Sequence, residues 1–98
     1  MNRPPTPVQA LAHTLERVAS AADREQTGTS MQALLMECLA CCTAGDITGT
    51  ARAHLADLQQ RLTVWRDVWP RLGKDPQFRA AVAREAHRWT AQFLQGGA

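Results

Sequence analysis

The stretch ARAHLADLQQRLTVWRDVWPRL, residues 51–72, decides the fold class. Its apolar positions Ala51, Leu55, Leu58, Leu62, Trp65 and Trp69 step by four, three, four, three and four. That is the period of one face of an α-helix, not of a strand. Pro70 removes a backbone donor and disfavours helical geometry at Trp69. The pattern therefore predicts a helix over residues 48–70 that kinks or ends at Pro70. Asp46, Thr48 and Thr50 are each possible caps, and Gly49 weakens the first turn.

On both sides of this segment the same period recurs between breakers. Upstream, Thr6-Pro7 pairs an N-cap residue with a proline at the first helical position, opening a helix over about 7–25. Its stripe is Val8, Leu11, Leu15, Val18 and Ala22. A second helix, over about 30–44, starts at Thr29 and Gln32 with capping-box spacing and stops at Gly45. It carries Met31, Leu34, Leu35, Cys38, Leu39 and Cys42, a face wide enough to make it the expected most buried helix. Downstream, Asp75-Pro76 repeats the cap-plus-proline signal and opens a helix over about 76–95 with Phe78, Val82, Ala86, Trp89 and Phe93. The connections are short, so consecutive helices are expected to be antiparallel neighbours. The fold class is all-α, a small antiparallel four-helix bundle or related helical array. Residues 6–95 form one helical domain, between a disordered lead-in at 1–5 and a frayed tail at 96–98.

Composition agrees with that class. Alanine occurs 17 times and leucine 10 times, while valine, isoleucine, phenylalanine and tryptophan together supply 11 of the 98 residues. That is too few for a sandwich or barrel. No apolar run reaches the ~18 residues of a membrane span, and no signal peptide is legible at the N-terminus. Three cysteines, an odd count, fit a reducing, cytoplasmic location better than a disulfide framework. The net charge of +2 is unevenly spread. Residues 1–50 hold three arginines against five acids; residues 51–98 hold seven arginines and Lys74 against four acids. One basic side is expected, an argument about partners rather than fold.

Cys38, Cys41 and Cys42 share one helix face, since positions three and four apart are surface neighbours. Three such thiolates suit Cu(I), or Zn(II) with one of His13, His54 and His87 as fourth ligand. Yet Cys38 and Cys42 continue the Met31–Leu35 stripe, and free cysteine behaves as a small buried hydrophobe. Core cysteines and no bound cofactor are therefore expected, with a metal-binding or metal-sensing bundle as the alternative. A catalytic thiolate is disfavoured, because the cysteines lie at the negative end of their helix beside Glu37.

The acids give no paired-carboxylate pattern for acid–base chemistry. Asp57–Arg61 and Asp67–Arg71 have the spacing of surface ion pairs, and Asp75 reads as a cap. No enzyme is expected. Arg52 and Arg66 fall on one line of the third helix, and Arg84, His87 and Arg88 cluster on the fourth, a candidate basic face for an acidic partner or a nucleic-acid backbone. The surplus feature is apolar: Val64, Val68 and Leu72 form a second stripe beside Trp65 and Trp69. A bundle helix buries about one stripe, so these five residues are the candidate interface to a protein partner or a second copy. The expected function is a non-catalytic assembly subunit docking through that segment. A small nucleic-acid-binding subunit of a ribonucleoprotein is the third reading.

Overall fold

In the computed structural model the described residues are 6–24, 28–43, 47 and 49–96. They form five helices: α1 (Pro7–Asp23), α2 (Gly28–Cys42), α3 (Gly49–Ala53), α4 (Leu55–Leu72) and α5 (Pro76–Gly96). No strand occurs among the described residues, and the four longer helices meet in antiparallel pairs, α1 with α5, α1 with α2, and α2 with α4. No described helix is long and apolar enough to cross a membrane. The expected lead-in at 1–5, the stop at Gly45, the caps at Asp46 and Thr48 and the Thr29 side chain lie outside the described residues.

Local signals account for the starts of α1 and α5. Thr6 Oγ1 accepts from the Gln9 backbone N–H at 3.1 Å, and Gln9 Oε1 accepts from the Thr6 N–H at 3.0 Å, a reciprocal cap ahead of Pro7. Asp75 Oδ1 accepts from the Gln77 N–H at 2.9 Å and caps α5, which runs on to Gly96, into the tail expected to fray.

The expected single helix over 48–70 is two. His54 breaks it, its N–H turning to the Ala51 carbonyl three residues back at 3.1 Å before α4 resumes. Nor does α4 stop at Pro70. It continues to Leu72 with the proline inside it. Pro70 has no N–H to give the Arg66 carbonyl four residues earlier, and that carbonyl instead accepts from Gln32 Nε2 of α2 at 3.4 Å. A side chain of the neighbouring helix thus fills the lost place.

Packing also corrects the burial order. Helix α1 is the most deeply covered, with Leu11, Ala12, Thr14, Leu15, Val18, Ala19 and Ala22 buried between α2 and α5. Helix α2 buries Met31, Leu35, Cys38 and Cys42, but Leu34 and Leu39 are half-buried and Met36 is 52% exposed. Consecutive α4 and α5 approach less extensively than α1 and α5 or α2 and α4. Aromatic side chains meet across the pair, Trp69 of α4 against Phe78 of α5 at 5.6 Å between centroids.

The α4–α5 turn has a consequence of its own. Gly73 has φ −64, an ordinary helical value at which alanine normally stabilises by about 0.4–1 kcal/mol. Here an added Cβ would lie 2.7 Å from Trp69 Nε1 and 2.8 Å from Trp69 Cε2. The indole is packed and has little room to yield. Gly73→Ala is therefore expected to destabilise, by about 1–3 kcal/mol in urea unfolding. A neutral or stabilised variant would refute that account of the turn.

Candidate interaction surface

The two apolar stripes of α4 have opposite fates. Trp65 and Trp69 are each 2% exposed and belong to the core of this chain. Val64 is 40% exposed, Leu72 is 42% exposed and Val68 is half-buried. Successive helix positions turn by about 100°, so Val64 stands well away from the direction of Trp65. Of the five residues expected at an interface, Val64, Val68 and Leu72 keep solvent exposure, while Trp65 and Trp69 are buried in the core of the chain itself.

Along the α5 side of this flank lies a polar clasp. Arg61 donates from Nε to Glu85 Oε2 at 2.7 Å and from Nη2 to Glu85 Oε1 at 3.0 Å. Glu85 Oε2 also accepts from the Trp89 indole N–H at 3.3 Å, and the Arg61 guanidinium sits 5.8 Å from the Trp65 ring centroid. The hydrogen bonds to Glu85 hold Arg61 more firmly protonated than usual. A bidentate partner on another helix outcompetes the local Asp57, so the expected Asp57–Arg61 pair does not form. The expected Asp67–Arg71 pair is absent too, because Asp67 accepts from Arg66 Nε at 3.3 Å. Asp57, Arg61, Glu85, Arg88 and Trp89 border an open groove of about 410 Å³ between α4 and α5.

Among the basic residues, Arg66 stands apart from those of α5. Arg52 is exposed on α3, across the His54 break from α4. Arg66 lies on the α2 side of α4, where Nη1 reaches Met36 Sδ at 3.6 Å. Arg84, His87 and Arg88 are exposed on α5, with Arg88 bordering the groove on the other side of α4. Arg84, His87 and Arg88 of the expected basic face thus share one helix.

Cys38 and Cys42 are buried and Cys41 is half-buried, its Sγ 3.9 Å from Thr14 Oγ1. All three are free thiols. Burial pushes the Cys38 thiol up, helped by Cys42, Cys41 and Glu37; burial, then Cys41, pushes Cys42 up to about 12. Among the described residues no three His, Cys, Asp or Glu side chains lie close enough together to hold a metal ion. His13 instead lines a second open groove, about 530 Å³, between α1 and α2, spanned by an exposed Arg17–Glu37 pair at 3.0 Å.

No protein-family model, curated protein or solved structure matches this chain. The surface must therefore be read from its own chemistry. Glu85 is held by Arg61 and Trp89, Glu37 by Arg17, Asp67 by Arg66, and Asp75 caps a helix. Each of these acids has a structural partner already. The Arg61–Glu85 and Arg17–Glu37 pairs join residues 24 and 20 positions apart, which no local spacing in the sequence signals.

Proposed function

We propose that this chain is a cytoplasmic, non-catalytic helical interaction subunit whose docking surface is the outer flank of α4. The observation that carries it is the exposure of Val64 and Leu72 on either side of half-buried Val68, on a helix whose core-facing stripe is already satisfied. Apolar side chains left outside a filled core stabilise a complex when a partner covers them. The exposed Arg84, His87 and Arg88 of α5 give the same molecule a positive edge that would orient an acidic partner or a nucleic-acid backbone.

The test is affinity purification of the tagged chain from its own host, wild type beside Val64→Glu. The variant should keep its helicity and melting temperature while losing most of what the wild type retains. Equal recovery by both chains would remove the α4 flank as the docking surface.

A further inference from the structure

We infer that the partner on the α4 flank is a second copy of this chain, packed antiparallel about a two-fold axis at Val64. This rests on the docking surface proposed above and names its occupant. The outward line of α4 is Asp57, Gln60, Val64, Asp67 and Arg71, all exposed and spaced three, four, three and four. That is the spacing of a helix–helix seam, and it runs opposite the core stripe. Its ends carry opposite charge around an apolar centre.

An antiparallel register centred on Val64 places Val64 against itself, Asp57 level with Arg71 of the second copy, and Arg61 level with its Asp67. The two-fold repeats each of these pairs. A parallel arrangement would set Asp57 against Asp57 and Arg71 against Arg71, and like charges face to face are disfavoured. Arg61 and Asp67 already have partners within the chain, but neither Asp57 nor Arg71 forms an ion pair among the described residues. The two ends of the line are thus left for the second copy. With little more than a valine pair and the flanking Val68 side chains at its centre, the interface is small and the dimer weak and salt-sensitive.

Sedimentation equilibrium of the purified full chain at low salt should show a concentration-dependent monomer–dimer equilibrium. Asp57→Arg and Arg71→Asp should each weaken it about tenfold, because two symmetric attractions become repulsions. Mixing the two variant chains should restore association as a heterodimer, since each then offers the charge the other lacks. Val64→Glu should abolish it, with helicity unchanged. A monomer at every concentration, or a mixture no stronger than its components, would overturn the second-copy interface. If the purified chain is monomeric but Val64→Glu still strips the material retained from the host, the docking surface stands and its occupant is another protein. If neither experiment responds to Val64→Glu, both fall.

Discussion

Trp65→Ala is expected to cost about 3–5 kcal/mol of folding stability, while Val64→Ala one residue away changes it by less than about 0.5 kcal/mol. The two side chains differ in surroundings more than in sequence context. Trp65 is 2% exposed and stands under the Arg61 guanidinium, on the side of α4 that the Arg61–Glu85 clasp ties to α5. Truncating a side chain so fully enclosed leaves a void that the close-packed surroundings fill only in part. A domain of this size has about 5–15 kcal/mol in total, so the loss is a large share of it. At about 4–8 °C per kcal/mol, the thermal midpoint should fall by more than about 12 °C. Circular dichroism melts of the two variants decide it. A Trp65→Ala loss below about 1 kcal/mol would mean that the indole is dispensable to the core.

That contrast marks where the sequence is legible and where it is not. Period and punctuation are local, and they locate α1 and α5 to within a few residues because Thr6-Pro7 and Asp75-Pro76 act on their own first turns. The stripe from Ala51 to Trp69 identifies the core face, for every member but half-buried Leu55 is buried. Three other features depend on contacts that sequence spacing does not encode. Pro70 reads as a kink or a stop, yet α4 runs on to Leu72 while Gln32, on another helix, supplies the donor that the proline lacks. Arg61 has Asp57 at the favourable spacing, yet Glu85 takes it with two hydrogen bonds. A doubled apolar stripe announces surplus greasy surface but not which half faces out; that follows from where α2 and α5 lie around α4. Spacing places Val64, Val68 and Leu72 on a stripe of their own, and the exposure of Val64 and Leu72 follows once Trp65 and Trp69 fill the core.

Raising the pH from 8 to about 10.5 is expected to destabilise the fold by about 2–3 kcal/mol for each of the two buried thiols. An unfolded cysteine releases its proton near about 8.5, whereas Cys42 in the fold holds its proton up to about 12 and Cys38 is shifted in the same direction by burial and its thiol neighbours. Above the unfolded value the unfolded chain therefore binds fewer protons than the native one. Stability is full below about pH 8.5 and falls as pH rises towards the folded value, with a slope approaching about 1.4 kcal/mol per pH unit per thiol. The composition isolates the effect, because the chain has no tyrosine and Lys74 is its single lysine. Few other groups titrate in that window. Replacing both thiols, Cys38→Ala with Cys42→Ala, should cost about 1–3 kcal/mol at neutral pH and flatten the alkaline slope, so that the two stability curves converge or cross near pH 10. Urea unfolding at a series of pH values measures both curves. Parallel curves from pH 8 to 10.5 would show that these thiols are not held protonated by the core, and that Cys38 and Cys42 stand in an environment far more polar than their burial implies.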